Sequence, residues 1–452
     1  MTYSDSIGII PILMEKKYHI WTEGCQMNIA DSQRVGSALE HLGYAETDRP
    51  ENADIIVMNT CVVRQSAEDK AYGRLSSLKP IKTRRPDMVI NLMGCLVGVK
   101  EPVRLKQRFP YVDVFSPPSD PRPLVEFLAQ KLGRQIEDEE TRARFAWMDG
   151  DLRLPTAQRG SLVAGFIPVV YGCSHACTFC IIPYRRGIER SRPPEEILAE
   201  AHALVAQGVK EITLLGQIVD RYGKDQPDYP RLSGLLRRLS AIDGVERLRF
   251  LTSHPNWMDD DLLDCVGELP KVMPHIEVPV QAGDDEVLGN MHRGYTRDDY
   301  YRLVEKIRTR IPGVSIATDI IVGFPGETDA QFQRTYDLLA ELKLDVAHLA
   351  RYSPRPGTVS ERRMPDDVPD EEKWRRFRLL EDLQEKIAAE IHAGYLGQTV
   401  PVLFEEKVKE RWKGRTPTNK LVFAESPSDL KGETRIVKIN WTGPWSMIGE
   451  IV

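Results

Sequence analysis

Three cysteines, Cys173, Cys177 and Cys180, lie close together in the sequence, with three and then two residues between them. They directly follow Phe166–Val170, an apolar run typical of a strand. Because a short loop can wrap around a metal centre, three thiolates at this spacing can bind a cubane iron–sulfur cluster and leave one iron open to a small ligand. Two alternatives stay open: structural zinc with His175 or a distant cysteine as fourth ligand, and three unrelated core cysteines. The spacing favours the cluster.

A second set of cysteines, Cys25, Cys61 and Cys95, is dispersed in sequence, but each member follows a strand-like run. The runs are His19–Thr22, Ile55–Thr60 and Val89–Gly94. Neighbouring parallel strands lie about 4.8 Å apart, and open α/β sheets bind ligands beyond the carboxyl ends of their strands. Three cysteines at these ends can therefore meet at one point. The alternative, that they are buried small hydrophobic residues, stays open.

The first part of the chain, up to about Gly133, alternates strand-like and helix-like stretches. The predicted elements are the strands Tyr18–Trp21, Asp54–Met58 and Met88–Met93 and the helix Ile29–Leu42. Alternation over such short connections indicates parallel pairing in an open α/β sheet. An acidic stretch, Glu137–Glu140, is interpreted as a linker to the next unit.

The central part of the chain, from about Gly160, contains six predicted strands separated by helices. The strands are Phe166–Val170, Glu211–Leu215, Arg247–Leu251, His275–Val280, Ser315–Ile321 and Asp345–Arg351, and the clearest helices are Pro194–Gln207, Arg297–Arg310 and Thr328–Leu342. Six such repeats form either a small closed barrel or an open arc that stops short of eight-fold closure. We expect the open arc, a partial (β/α)6 barrel.

The C-terminal part begins with a predicted helix, Pro369–His392, and then changes to short β-like runs broken by glycine and proline. These runs are Val400–Phe404, Leu421–Phe423 and Arg435–Ile439. They predict a small all-β barrel of about 55 residues. Within the helix, the run Lys373–Arg378 is interpreted as aromatic packing with solvated charges.

Composition excludes several classes of protein. With 41% hydrophobic residues among 452, the chain is not intrinsically disordered. The 61 basic and 67 acidic residues give a net charge of −6, so contact with nucleic acid requires a local patch, and the segment Lys407–Lys420 is the best candidate. Seven cysteines do not suggest a secreted disulfide framework, and apolar runs are too short to span a membrane. We expect a cytoplasmic protein.

The segment Tyr171–Tyr184 resembles the cluster loop of radical S-adenosylmethionine (SAM) enzymes. In that family the open iron of a [4Fe-4S] cluster chelates SAM, and one electron cleaves SAM to a 5′-deoxyadenosyl radical. The resemblance implies that Cys173, Cys177 and Cys180 are the cluster ligands and that Phe179 lies beside the adenine of SAM. The partial barrel of that family agrees with the six strands counted above.

Two glutamines are further candidates for contact with SAM. Gln217 and Gln281 stand at strand ends, where barrel sites assemble, and each side chain offers hydrogen bonds to the sugar or carboxylate of SAM. The alternative is that they satisfy the backbone of their own loops.

The segments around the second cysteine set resemble the N-terminal domain of methylthiotransferases. They are Thr22–Asn28, Asn59–Arg64 and Gly94–Leu96. The resemblance implies that Cys25, Cys61 and Cys95 hold an auxiliary [4Fe-4S] cluster that handles sulfur. Gly24–Asn28 is similar to the branch that methylthiolates C2 of N6-(dimethylallyl)adenosine beside the tRNA anticodon. Two alternatives stay open: the same chemistry on threonylcarbamoyladenosine or a ribosomal-protein aspartate, and a non-catalytic iron–sulfur or zinc RNA-binding protein.

The resemblance extends over nearly the whole chain. Further matching segments are Pro279–Gly283, Ile320–Thr328, Arg355–Thr358 and Lys413–Asn419, the last resembling the opening of the TRAM module, a tRNA-binding β barrel. It implies three domains: residues 16–134 with the auxiliary cluster, the radical SAM core at 159–392, and TRAM at 395–452. The sequence departs from the family pattern at Ile218 and at Leu96–Gly98, which puts fine substrate or cofactor contacts in doubt.

The resemblance also implies the partners of the protein. These are tRNA, a reductase as electron donor and a sulfur donor, with the chain acting as a monomer and away from membranes. Within the basic patch, Lys413, Arg415 and Lys420 are the candidate RNA-binding residues, and Trp412 either stacks on a base or caps the barrel.

Overall fold

The N-terminal part of the chain forms an open sheet of five strands. The structure is a computed structural model and describes residues 16–63, 65–131 and 154–452. The strands are β1 (Lys17–Thr22), β2 (Ala45–Glu46), β3 (Ile55–Thr60), β4 (Val89–Gly94) and β5 (Val114–Ser116), and the helices are α1 (Gln26–His41), α2 (Gln65–Arg84), α3 (Val103–Arg108) and α4 (Arg122–Lys131). The strands pair in the order β2-β1-β3-β4-β5, all parallel. The predicted open parallel α/β sheet is confirmed.

Burial on both faces explains the apolar runs in the middle of this sheet. Every residue of β3 and β4 is buried, as is usual for central parallel strands covered by helices on both sides. The chain passes from β1 to β2 on one side and then to β3 on the other, so a topological switch point lies between β1 and β3. The predicted acidic linker Glu137–Glu140 lies outside the described residues.

The central part of the chain is built on six parallel strands. The strands, with a short ribbon of β7 and β8, are β6 (Ala164–Pro168), β7 (Val170–Tyr171), β8 (Arg190–Ser191), β9 (Glu211–Leu215), β10 (Arg247–Phe250), β11 (His275–Glu277), β12 (Ser315–Val322) and β13 (Val346–Arg351). The helices are α5 (Ile182–Arg186), α6 (Pro194–Ala206), α7 (Leu232–Ser240), α8 (Asp260–Glu268), α9 (Asp285–Asn290), α10 (Arg297–Arg310), α11 (Asp329–Leu342), α12 (Val359–Arg363) and α13 (Asp370–Ala393).

These six strands form an arc with two edges. The sheets β6-β9-β10 and β11-β12-β13 adjoin through an isolated parallel bridge between Leu248 and Val272, which leaves β6 and β13 as edge strands. The predicted open (β/α)6 arc is therefore confirmed. Capping boxes at Thr296 and Thr328 begin α10 and α11, and they explain why these helices start where the sequence predicts.

The C-terminal part closes into a five-stranded barrel, as predicted. Its strands are β14 (Thr399–Val408), β15 (Arg411–Arg415), β16 (Leu421–Glu425), β17 (Thr434–Thr442) and β18 (Met447–Ile451), in the order β14-β15-β16-β18-β17. Two buried arginines of β10 dock this barrel onto the central arc. Arg247 donates to the carbonyl of Arg415 (2.7 Å), and Arg249 donates to the carbonyls of Thr416 (3.0 Å) and Pro417 (2.8 Å).

The interpretation of the run Lys373–Arg378 as a set of solvated charges is wrong for two of its residues. Lys373 and Arg376 are only 1% and 3% exposed. Arg376 forms an ion pair with the buried Glu327 (2.8 Å), whose carboxylate also accepts from the backbone N–H of Gly323. The helix α13 thus holds the turn after β12 in place through the buried ion pair between Arg376 and Glu327. None of the helices in the described ranges is both long and apolar enough to cross a membrane.

Candidate active site between two cysteine sets

The structure brings Cys25, Cys61 and Cys95 together at the carboxyl edge of the N-terminal sheet. Cys25 is the N-cap residue of α1, while Cys61 and Cys95 directly follow β3 and β4. The two strands are in register at Thr60 and Gly94, and the amide of Cys95 donates to the carbonyl of Thr60 (2.9 Å). The three thiols are close enough to influence one another electrostatically. They meet at the switch point, where open α/β sheets bind ligands.

A network of two buried asparagines holds the Cys25 loop against the Cys61 loop. The Asn28 amide donates to Asn59 Oδ1 (2.9 Å) and to the carbonyl of Thr60 (3.2 Å), and Asn59 Nδ2 donates back to the carbonyl of Asn28 (2.8 Å). The thiol of Cys25 donates to Asn28 Oδ1 (3.4 Å). Both asparagines lie in segments that resemble the methylthiotransferase domain, so their role in that pattern is to position the cysteine loops.

Replacing Gly94 with Ala is expected to destabilise the turn that leads into Cys95. Gly94 has a φ of +95°, and a Cβ there would lie 2.5 Å from the carbonyl oxygen of Thr60. Such strain costs about 1–3 kcal/mol, so urea unfolding should show a lower free energy of unfolding for Gly94→Ala. Gly73→Ala, inside α2 with open space around its Cβ, is the matched control and should be at least as stable as the wild type. An unchanged unfolding midpoint for Gly94→Ala would contradict the prediction.

The second set, Cys173, Cys177 and Cys180, lies in the loop between β7 and α5. Backbone hydrogen bonds fold the loop back on itself: the amide of Cys173 donates to the carbonyl of Gly187 (3.0 Å) and that of Cys180 to the carbonyl of Cys177 (3.1 Å). The buried guanidinium of Arg293 donates to Cys177 Sγ (3.2 Å). Sequence reasoning missed Arg293, because it lies 116 residues away from Cys177.

The chemistry of both donor sets fits iron–sulfur clusters. Burial raises the pKa of the Cys61 and Cys173 thiols to about 11 and that of Cys180 to about 12, so metal binding must displace protons from these groups. A buried arginine stands beside each set, Arg293 at Cys177 and Arg186 at Cys95, and compensates thiolate charge.

No three His, Cys, Asp or Glu side chains in the described part of the chain are close enough to share a single metal ion. A tetrahedral zinc ion needs sulfurs within about 4 Å of one another, whereas a cubane binds its thiolates on separate irons and holds them further apart. His175, the candidate fourth zinc ligand, packs its ring against that of His254, with a centroid distance of 4.5 Å.

A cavity of about 550 Å³ is lined by Cys180 and by residues of the segment that follows Cys61. One wall is formed by the central arc and includes Phe179, Cys180 and Gln281, and the other includes Val63 and Gln65, which follow Cys61 in sequence. Gln281 is 8% exposed and has a φ of +74°, and its Oε1 has no hydrogen-bond partner within the described ranges. An acceptor of this kind is open to a donor from a bound molecule, and SAM offers amino and hydroxyl groups.

The other predicted SAM contacts are placed differently. The ring of Phe179 lines the cavity and makes an edge contact with Phe324 at a centroid distance of 6.5 Å. Gln217 is half-buried after β9 and is not among the residues that line the cavity. Phe179 and Gln281 therefore stay candidates on geometric grounds, and Gln217 stays a prediction from sequence.

Two ion pairs join the N-terminal sheet to the central arc. Arg355, 4% exposed, donates to Gln65 Oε1 (2.8 Å) and pairs with Glu68, both on α2. On another side of the junction, Arg34 of α1 makes a bidentate pair with Glu200 of α6 (2.9 and 2.7 Å). Arg355 belongs to the segment Arg355–Thr358, which resembles the family pattern. Its partner Glu68 lies 287 residues away, so the pair is not predictable from the sequence.

Of the three predicted RNA-binding residues, only two are accessible. Lys413 and Arg415 keep part of their side chains in solvent, although each lies near a glutamate of the same barrel. Lys420 is 5% exposed and its ammonium pairs with Asp345, at the start of β13. Lys420 thus joins the barrel to the central arc, and we leave it out of the RNA surface proposed below.

Removing the charge of Lys420 is expected to destabilise the protein. Lys420→Ala removes the cation of the part-buried carboxylate of Asp345, which keeps its hydrogen bond from the backbone N–H of Ile316, so the loss should be at most about 3 kcal/mol. Urea unfolding followed by circular dichroism should show this loss. Lys431→Ala, an exposed lysine of the same barrel, is the control and should leave the midpoint in place. Equal midpoints for the two variants would refute the structural role of Lys420.

The chain matches two protein families and several named relatives. Residues 167–339 match the radical SAM superfamily, and residues 17–116 match a family described as "Uncharacterized protein family UPF0004". A protein of Roseiflexus sp. (strain RS-1) named tRNA-2-methylthio-N(6)-dimethylallyladenosine synthase is 48% identical over 96% of this chain and 89% of its own length. A protein of the same name from Chloroflexus aurantiacus is 46% identical over 96% of this chain and 91% of its own.

Solved structures agree on the fold. The radical SAM methyltransferase TsrM from Kitasatospora setae superposes with a TM-score of 0.57 at 15% identity, over 76% of this chain and 74% of its own. The site and fold are those of a radical SAM enzyme. The chain belongs, within that superfamily, to the family of the tRNA-2-methylthio-N(6)-dimethylallyladenosine synthases. This confirms the predicted family, and with it the predicted cofactors, SAM and two [4Fe-4S] clusters.

Proposed function

We propose that this protein methylthiolates C2 of N6-(dimethylallyl)adenosine in tRNA. The observation that supports this most strongly is the cavity of about 550 Å³, because its walls come from the loops that follow Cys61 and surround Cys180. A base that enters this cavity lies between the two cysteine sets. The C2–H bond of adenine is unactivated, and acid–base chemistry by side chains does not break it. When bound, the clusters would supply the electron and the sulfur, and SAM would supply the radical and the methyl group that the reaction requires.

The side chains of this protein bind and orient those groups. Cys173, Cys177 and Cys180 would hold one cluster, and Cys25, Cys61 and Cys95 the other. Gln281 Oε1 would accept a hydrogen bond from SAM, and the Phe179 ring would pack against its adenine. Gln217 is retained as a further candidate from its place after β9. The Arg355–Glu68 pair would keep the walls together while the base is bound.

The domain division and the partners are part of the same proposal. We assign residues 16–134 to the auxiliary-cluster domain, 159–392 to the radical SAM core and 395–452 to a TRAM barrel. The substrate tRNA is joined by a reductase as electron donor and by a sulfur donor. The chain would act as a monomer in the cytoplasm, where tRNA is modified.

The surface of the C-terminal barrel supplies the tRNA contacts in this proposal. Lys413 and Arg415 are its candidate cations, while Trp412, 7% exposed, caps the barrel core. Trp441 and Trp445, near the turn between β17 and β18, are 50% and 58% exposed, so their rings are open to stack on unpaired bases. These two residues were missed because sequence alone does not say which aromatic rings a small barrel buries.

Removing both exposed tryptophans is expected to weaken tRNA binding. Stacking on one aromatic ring contributes about 1–3 kcal/mol per base, so Trp441→Ala/Trp445→Ala should raise the Kd for tRNA by roughly 10-fold or more. Filter binding at fixed salt measures this change. Trp374→Ala, an exposed tryptophan on α13, is the control and should bind like the wild type. An unchanged Kd for the double variant would exclude these rings from the RNA surface.

The decisive experiment is nucleoside analysis of tRNA from a deletion strain. Mass spectrometry should show loss of the 2-methylthio-N6-(dimethylallyl)adenosine and accumulation of its unthiolated precursor, both reversed by the gene in trans. Loss of methylthiolated threonylcarbamoyladenosine instead would show that the substrate is threonylcarbamoyladenosine in tRNA. A normal nucleoside profile together with an unmodified ribosomal-protein aspartate would show that the substrate is the ribosomal protein and not tRNA.

A further inference from the structure

Arg186 is a buried arginine that the cluster loop of the central arc projects toward the other cysteine set. It is the last residue of α5, six residues after Cys180, and its side chain is 3% exposed. Its guanidinium interacts electrostatically with Cys95 most strongly, then with the buried carboxylate of Asp31 and with Cys25. The residue therefore belongs in sequence to one predicted cluster loop and in space to the other.

The hydrogen bonds of this guanidinium are incomplete. Nη1 donates to Ser119 Oγ (3.2 Å), and the nearest carboxylate oxygen, on Asp31, lies 3.7 Å away, well beyond the 2.7–2.9 Å of a charge-assisted hydrogen bond. Nη2 is buried and has no well-aligned acceptor among the residues described, although the guanidinium lies within hydrogen-bonding reach of the Cys95 thiol. A buried donor without a well-aligned acceptor costs about 1–3 kcal/mol, so an acceptor bound at the cysteine set would stabilise this arrangement.

We propose that Arg186 is the counter-cation of the auxiliary cluster and that its free N–H group donates to sulfur on the Cys95 side of that cluster. The inference rests on the proposed function, since it assumes a cluster at Cys25, Cys61 and Cys95. Three thiolates leave a [4Fe-4S] cluster anionic, and reduction by one electron adds a further negative charge. A buried cation that donates to cluster sulfur stabilises the reduced form more than the oxidised form. Arg186 therefore raises the reduction potential of the auxiliary cluster.

The test measures the potential of the auxiliary cluster alone. In full-length protein carrying Cys173→Ala/Cys177→Ala/Cys180→Ala, reconstituted anaerobically, about four irons per chain should remain. In that background Arg186→Gln should shift the midpoint of a dithionite titration, followed by EPR, to a lower potential. Arg186→Lys keeps the charge and should restore most of the shift. Arg190→Gln is the control. Arg186 and Arg190 both line a second cavity, of about 960 Å³, but Arg190 is exposed, and its guanidinium lies over the ring of Tyr171 and not beside a cysteine.

Each outcome distinguishes one claim from another. A background protein without iron would refute the auxiliary cluster, and with it the proposed function. With four irons present, an Arg186→Gln potential equal to that of the background would overturn the role of Arg186. If Arg186→Lys shifts the potential as far as Arg186→Gln does, the effect comes from the shape of the side chain and the counter-cation role is wrong. Loss of iron in Arg186→Gln that Arg186→Lys reverses supports the charge, because the cation then holds the anionic cluster in place.

Discussion

Cys177→Ala is expected to abolish SAM cleavage. Cys177 lies between Cys173 and Cys180 in the loop after β7, and the Arg293 guanidinium donates to its sulfur (3.2 Å). Without this thiolate the loop has two of three ligands, and Nη1 of the buried Arg293 guanidinium loses its acceptor as well. Loss of an outer-shell partner typically costs 10–100-fold, so loss of a ligand itself should reduce 5′-deoxyadenosine formation by more than about 100-fold. Anaerobic assay with dithionite and SAM, with chromatographic detection of 5′-deoxyadenosine, measures this rate.

The chain offers a matched control for that experiment. Cys265, inside α8, is completely buried and its thiol makes only a weak hydrogen bond to the carbonyl of Ser233 (3.6 Å), as the sequence analysis expects of a spare thiol. Cys265→Ala removes one sulfur from the same domain and should leave SAM cleavage at the wild-type rate. SAM cleavage by Cys177→Ala at that same rate would mean that the cluster is not held by this loop.

The elements of the fold were predictable where one stretch of sequence determines them. Glu211–Leu215 and Arg297–Arg310 have the predicted bounds, since a buried apolar run and a capped helix of regular period are local patterns. β15 was not predicted, because Arg411–Arg415 carries three basic residues and has β structure only through its pairing with β14 and β16. β18 was missed in the same way, since its pairing partners are β16 and β17.

The charged groups of the site were not predictable, for a related reason. Whether Arg376 or Lys420 is buried depends on Glu327 and Asp345, which lie 49 and 75 residues away in the chain. A cysteine at a strand end, in contrast, is placed by the parallel sheet itself. The six cysteines could be assigned to two sets from sequence, whereas the arginines that surround them became visible only in three dimensions.

The clearest separation of the two cysteine sets comes from Cys61→Ala, which is expected to retain SAM cleavage and lose methylthiolation. Cys61 is 7% exposed, follows β3 and belongs to the other cysteine set, not to the loop of Cys177. The variant should bind about four irons per chain in place of about eight. It should still form 5′-deoxyadenosine at a rate within about 10-fold of the wild type, since only the outer wall of the cavity changes. The methylthiolated nucleoside, assayed by mass spectrometry on isopentenylated tRNA, should fall below detection.

An enzyme with a single cluster would not show retained 5′-deoxyadenosine formation together with loss of the methylthiolated nucleoside. If one cluster performed both steps, Cys61→Ala would leave product and SAM cleavage equally intact, and the iron content would not change. If Cys61 were only a small buried hydrophobic residue, Cys61→Ala would keep both clusters and the methylthiolated product. Loss of product with SAM cleavage retained, and with half of the iron gone, requires that Cys61 binds a second cluster. It also requires that radical formation does not depend on the cluster at Cys61, so that this cluster would serve the sulfur-transfer part of the reaction.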